Sequence, residues 1–433
     1  METCENENVQ ERKGAEMNRE KKQGGFGKFL LLWSGEFISS IGGGLTSFGL
    51  GVYVFTQTGS AASMALVTLL AFLPTILLSV PAGGLADRYD RRLLMMLGDG
   101  CSALGIGYIL FCMLNGGASL TQICVGVFIS SVFSSLLEPA YRATVSDLLT
   151  KEEFSKASGL VSLAGSARYL VSPILAGILL TVSDVKLLLI LDIATFIWTM
   201  ASTAVVRKGI ETKQEEARES LLESMKEGWN AVHSRKGIFL LIMVSSAMTL
   251  FLGVFQILAE PLILAFADSE TLGIGETVCA CGMLVSSLFL GVLGIKKNYT
   301  RVLSISLSFA GIFMFGFGIW ENIYLICMFG FAFFAMLPFA NNCLDYLVRT
   351  NVPDELQGRT WGFIGFLSQL GYVFAYGLSG VLADVAGVVT GKGVGRGAAY
   401  MIQISGILLV VVAVSLIFIK RIRLLEQGSE LTV

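Results

Sequence analysis

Twelve long apolar runs leave few folds open to this chain. They lie at roughly 29–55, 62–86, 93–114, 118–140, 157–182, 187–206, 237–267, 272–295, 302–320, 323–347, 361–389 and 398–419, and each comes close to the ~20 residues that a helix needs to cross a bilayer core. In lipid every backbone polar group must be satisfied within the segment, so runs of this length form helices. The expected fold class is an all-α membrane protein of twelve transmembrane helices. Hydrophobic residues make up 54% of the 433 and charged ones 15%, well below the share in soluble domains. The first run is too long for a signal-peptide core, and no small-residue cleavage site follows it.

Lys and Arg are distributed unevenly between the connections. With twelve spans both termini share a side, and that side holds 27 of the 31. The opposite side has only Lys186, Lys392 and Arg396, and Arg168 falls within a span. The positive-inside rule therefore predicts cytoplasmic termini and a multi-pass protein of a plasma membrane of the bacterial type. A net charge of −2 points away from nucleic acid.

Six spans, a charged linker and six more spans suggest a duplication. Gly84–Leu93 (GLADRYDRRL) aligns with Gly294–Leu303 (GIKKNYTRVL), and Arg142–Leu148 aligns with the stretch from Arg349 to Glu355. Both echoes fall at the same place in their half, so two pseudo-symmetric six-helix bundles are expected. The predicted organisation is a tail over 1–28, a first bundle over 29–206, a linker over 207–236, a second bundle over 237–420 and a tail over 421–433. In the linker, Leu222, Met225, Trp229 and Val232 recur at helical spacing among charged residues, which reads as an amphipathic helix at the membrane face or docked on the bundle.

The stretch GGLADRYDRR concentrates charge in one short connection. It resembles the loop signature G-x-L-A-D-R-x-G-R-R of the major facilitator superfamily, with Gly83 or Gly84, Asp87, Arg88, Arg91 and Arg92 at matching positions and Asp90 where the family has Gly. The resemblance implies a transporter working by alternating access, in which Asp87 and Arg91 help latch the two bundles in the outward-facing state. The segment from Gly165 through Pro173 to Gly177 looks like the fifth-span motif of the family's antiporters, with Ser172 in place of a Gly. EGW at 227–229 and VPDELQGR at 352–359 resemble the branch of macrolide-efflux proteins and the enterobactin exporter.

Charges inside the spans are functional candidates, because burying one at mid-bilayer costs at least ~2.5–3.5 kcal/mol. Glu36 and Arg168 read as deep residues of spans one and five, free to pair or to bind proton and substrate in turn. Asp192 and Glu260 lie nearer the outside, and Glu260 precedes the helix-interrupting Pro261. These four are the proton-coupling candidates, with Glu36 the first choice of carrier. Asp99 and Asp345 read as structural, and Glu138 and Arg142 as an i,i+4 pair. Ser40, Asn341, Asn342, Gln369, Tyr372 and Tyr376 are candidates for a cavity that takes amphipathic molecules.

The eight Cys are scattered, mostly in apolar runs, and the Cys279-x-Cys281 pair reads as core packing, so no metal site is predicted. No nucleophile–base pair stands out, and GVVTGKG at 387–393 is one residue short of a phosphate loop. The chain is thus read as a non-enzyme without cofactor: a proton-driven antiporter, monomeric, exporting drug-, macrolide- or siderophore-like molecules. An importing symporter and a non-transporting receptor are the alternatives.

Overall fold

The computed structural model describes residues 25–150, 153–207, 236–295, 297–351, 354–419 and 426. Among these residues all regular structure is helical, and twelve helical stretches are long and apolar enough to cross a membrane. The spans are Gly25–Thr58, Ala61–Arg88, Arg91–Leu114, Leu120–Leu148, Phe154–Val182, Val185–Arg207, Lys236–Leu264, Ser269–Leu293, Tyr299–Phe317, Ile323–Asn351, Asp354–Thr390 and Val394–Phe418. The terminal end of the molecule is where the chain enters span one, and the distal end is where spans one and two connect. Span one starts four residues before the expected limit. The linker helix expected over 211–236 lies outside the described residues, apart from Lys236. Val292, Val388 and Phe418 are largely exposed, part of an apolar outer surface of the kind that lipid covers.

Two spans are interrupted for a covalent reason. Span five is two helices, Phe154–Leu170 and Ser172–Val182, meeting at Val171. Pro173 has no N–H to donate and its ring crowds the preceding turn. Span four breaks between Ser134 and Leu137, just before Pro139. Elsewhere polar side chains start the helices: Ser60 caps span two, Asp90 caps span three, Ser119 and Gln122 form a capping box on span four, and Asp268 caps span eight.

The halves repeat each other's packing. In the first half, span one packs on six and five, three on four and six, and two on four. Adding six to each number gives the pairings of the second half: seven on twelve and eleven, nine on ten and twelve, eight on ten. The same operation exchanges the two main contacts between halves, span two with eleven and span five with eight. The two pseudo-symmetric bundles expected from the sequence are therefore present.

Close approach relies on small residues, as membrane packing requires. A Cβ added at Gly105 would lie 2.5 Å from the Gly126 carbonyl, and one at Gly311 2.6 Å from the Gly406 carbonyl. These pairs join span three to span four and span nine to span twelve.

Candidate transport site and gates

Span one organises the buried charges. Its middle falls near Gly42, so Glu36 sits about 8 Å towards the terminal end and not at the helix midpoint. Glu36 is half-buried, with Glu138, Asp99 and Tyr141 as electrostatic neighbours. Asp99 of span three is 3% exposed, and Thr199 of span six, whose hydroxyl donates to the Phe196 carbonyl at 2.9 Å, is a neighbour. Gly35 lets span one approach Thr199 and Ser202 closely. The Tyr141 hydroxyl is buried with no hydrogen-bond partner among the described residues.

Asp192 occupies the middle of the first bundle and is 1% exposed. Thr46 of span one donates its hydroxyl to Asp192 Oδ2 at 2.6 Å. Gly42 leaves room for the carboxylate: a Cβ there would sit 2.7 Å from Asp192 Oδ1. Arg168 is exposed and acts electrostatically on Asp192 and on Tyr376 of the second half. Past the break at Val171, Ser172 sits on span one, its hydroxyl donating to the Ile41 carbonyl at 3.0 Å.

Glu260 approaches the other half. Its Oε2 lies 2.5 Å from where a Cβ on Gly51 would be, and its electrostatic partner is Glu276 of span eight. Glu276 was missed in the sequence because it lies one turn inside an otherwise apolar run. Span seven stays helical through Pro261 to Leu264. Along span one, Glu36, Thr46 with Asp192, and Gly51 with Glu260 form three acidic levels, about 15 Å and then about 8 Å apart.

Tyr372 and Tyr376 converge with Phe72 of span two, at ring-centroid distances of 5.5 and 5.4 Å. The Tyr376 hydroxyl donates to Gln256 Oε1 at 3.0 Å. This aromatic cluster bridges the halves near mid-span. Ser40 is half-buried, while Asn341, Asn342 and Gln369 are exposed.

At the terminal end, the charged connection forms a network inside the first half. Arg91 donates to Asp147 Oδ1 at 2.7 Å and to the Ala86 and Ala143 carbonyls. Arg92 is 2% exposed, and its guanidinium lies 3.7 Å from Asp147 Oδ2. Asp90, in place of the family's Gly, accepts from the Arg92 N–H and from Arg207 Nε at 2.7 Å. Its φ of −60° needs no glycine, so the departure from the signature adds a cap and an ion pair without altering the turn. Arg88 is exposed, and the Asp87 side chain lies outside what the structure describes. Among the described residues, a Cβ on Gly83 would meet nothing within 4 Å, so this glycine makes no close helix contact with them. Glu138 and Arg142 pair as expected, at 2.6 Å on an exposed face.

At the distal end the halves touch. A Cβ on Gly177 of span five would lie 2.8 Å from the Ser269 carbonyl of span eight, and Gly273 packs on the Pro173 carbonyl. Pro173 and Gly177 of the antiporter-like motif therefore both meet span eight, whereas a Cβ on Gly165 would meet nothing within 4 Å.

Residues 32–260 match the family model of the Major Facilitator Superfamily. The chain belongs to this superfamily. Macrolide efflux protein A of Streptococcus pyogenes is 26% identical over 414 residues, covering 92% of this chain and 97% of that protein. The enterobactin exporter EntS of Citrobacter koseri is 24% identical over 339 residues, covering 77% and 80%. Among solved structures, a bacterial homologue of the human lysosomal transporter Spinster, captured inward-facing and unoccupied, superposes with a TM-score of 0.69 at 12% identity. It covers 94% of this chain and 98% of its own. As a superfamily member the chain is a multi-pass membrane transporter of small molecules. Its similarity to efflux proteins places it beside the branch suggested by the EGW and VPDELQGR stretches.

Proposed function

We propose that this transporter is a proton-coupled antiporter that exports small amphipathic molecules, with both termini in the cytoplasm. The observation that carries the reading is Asp192, a carboxylate sealed from water in the middle of the first bundle, tied to span one by Thr46 and within the field of Arg168. A charge at this depth must be compensated at each step of a cycle, and a proton or a cationic group of the substrate can alternate in that role. Glu36 and Asp99 on the terminal side, and Glu260 with Glu276 on the distal side, extend the acidic path along span one.

The aromatic cluster of Phe72, Tyr372 and Tyr376, with the Gln256–Tyr376 hydrogen bond, suits an apolar ring or lactone body carrying a few polar groups. The names of the efflux relatives support macrolide-, drug- or siderophore-type cargo. The Lys and Arg distribution supports a cytoplasmic terminal end. The halves meet at the distal end, Gly177 against the span-eight backbone and Gly273 against the span-five backbone, which supports a state whose cavity opens towards the terminal end. In the opposite state Asp87 and Arg91 latch the second half. One proton moving down ~100 mV supplies ~2.3 kcal/mol, enough for roughly fifty-fold accumulation.

The test is efflux of a macrolide from proteoliposomes under an imposed proton gradient, comparing wild type with Asp192→Asn and Glu36→Gln. Gradient-driven efflux that Asp192→Asn abolishes supports the reading. Macrolide movement down the proton gradient establishes the importing symporter instead, and gradient-independent flux establishes a uniporter.

A further inference from the structure

The first N–H groups of any helix lack internal partners and carry the positive end of its dipole. At the start of span two these groups turn towards the other half of the protein. Asp384, near the distal end of span eleven, takes the Ala61 N–H on Oδ1 at 2.9 Å and the Ala62 N–H on Oδ2 at 3.1 Å. The same Oδ2 takes the Ser60 hydroxyl at 2.6 Å. One carboxylate thus makes three bonds across the interface between halves. One turn earlier, a Cβ on Gly380 would lie 2.5 Å from the Ala61 carbonyl and 2.8 Å from Ala62 Cα. The two backbones meet only because residue 380 has no side chain.

The symmetry-related contact, span five with span eight, is glycine against backbone at Gly177 and Gly273. The carboxylate thus lies on one side of the distal closure. Ser60 also accepts from the Ser63 N–H at 3.1 Å, so span two keeps a cap of its own when Asp384 departs. An acceptor that can leave without orphaning the helix it caps suits a reversible contact. Its three donors are then free to bond to water in an opened vestibule.

We propose that Asp384 is the releasable clamp of the distal exit, a positioning residue that holds the halves together there and must leave the start of span two each time that end opens. Alternating access demands such a contact to be strong enough to close one end and weak enough to yield. The proposal rests on the chain being a transporter and not on proton coupling.

Hydrogen exchange on the intact protein in lipid nanodiscs tests it, comparing wild type with Asp384→Asn, Asp384→Ala and Gly380→Ala. The amides of Ala61 and Ala62 lose an acceptor by construction in the Asp384 variants and are not diagnostic. The readout is the remote nest, residues 173–177 and 269–277. At least threefold faster exchange is expected there in Asp384→Ala, with Asp384→Asn intermediate. Gly380→Ala is expected to match it although its carboxylate is intact, and exchange across 86–92 slows as the terminal end closes. Faster exchange confined to 60–63, or a uniform rise along the chain without slowing at 86–92, makes Asp384 a local cap and overturns the proposal. Should Asp384→Ala fail to fold, Asp384→Asn and Gly380→Ala decide the matter by the same criteria.

Discussion

Thr46 donates its hydroxyl to Asp192 at 2.6 Å, fixing the middle of span one to span six. A hydrogen bond to a buried charged acceptor contributes about 1.5–3 kcal/mol, and removing the donor leaves that acceptor unsatisfied. Thr46→Val is therefore expected to lower thermal stability by several degrees, with Thr46→Ser close to wild type. Asp192→Asn keeps an oxygen acceptor for Thr46, so its loss of stability is smaller than that of Thr46→Val while its loss of gradient-driven efflux is larger. Melting curves beside liposome flux check the ordering. A Thr46→Val variant as stable as wild type refutes it.

The terminal network makes a second ordering. Asp147 accepts a hydrogen bond from Arg91 and forms an ion pair with Arg92, which is nearly inaccessible to water. Asp147→Ala removes that cation's ion-pair partner, leaving Asp90 as a neighbouring charge, and is expected to destabilise the protein by about 1–3 kcal/mol. Asp90→Gly restores the family residue and removes a half-exposed ion pair with Arg207, while glycine is itself a tolerable cap, so its cost is expected to stay below about 1 kcal/mol. Denaturation in detergent that ranked Asp90→Gly as the more damaging change would contradict this ordering.

The antiporter-like motif separates into working and silent glycines. Gly273→Ala sets a Cβ against the Pro173 carbonyl backbone, and Gly177→Ala sets one against the Ser269 carbonyl, so both hold the distal end apart. Each is expected to fold and to lose most of its transport. Gly165→Ala meets open space and is expected to keep wild-type transport. Flux measurements on the three variants at matched expression check the contrast, and inactive Gly165→Ala protein would show that residue 165 is packed in a state other than this one.

These orderings rest on features legible in the sequence to different degrees. The twelve spans and the two-half arrangement follow from apolar run length and from offsets of 207 and 210 between echoes, because a membrane leaves the backbone little choice. Asp87, Arg91 and Arg92 stood out through charge density. The partners did not, because a partner is set by helix rotation and crossing. Thr46 and Asp384 carry no sequence signal of contact with residues 146 and 324 positions away. Glu36 and Arg168 read from depth alone as groups free to pair or to act in turn, and depth carries no signal of the field that Arg168 exerts on Asp192. Glu276 was hidden by its apolar run.

Asp268 gives a pH dependence whose sign follows from its bonds. It lies just outside span eight, and its carboxyl is held below the usual carboxylate range, chiefly by the Thr271 hydroxyl and then by the Thr271 N–H, which it accepts at 2.9 Å. A group whose folded pKa is depressed stabilises the folded form fully above its unfolded value near ~3.9, and that contribution is lost as pH falls through the lower, folded value. This cap fixes the turn whose Ser269 carbonyl faces Gly177, so its loss loosens one side of the distal closure. Amide protection of Thr271 and Leu272 relative to an Asp268→Ala variant is expected to be constant from pH 7 to about 4, then to fall towards equality below that. A protection ratio that declines between pH 7 and 5 would assign the stabilisation to another group, and one unchanged down to pH 2 would mean that the carboxylate does not cap span eight.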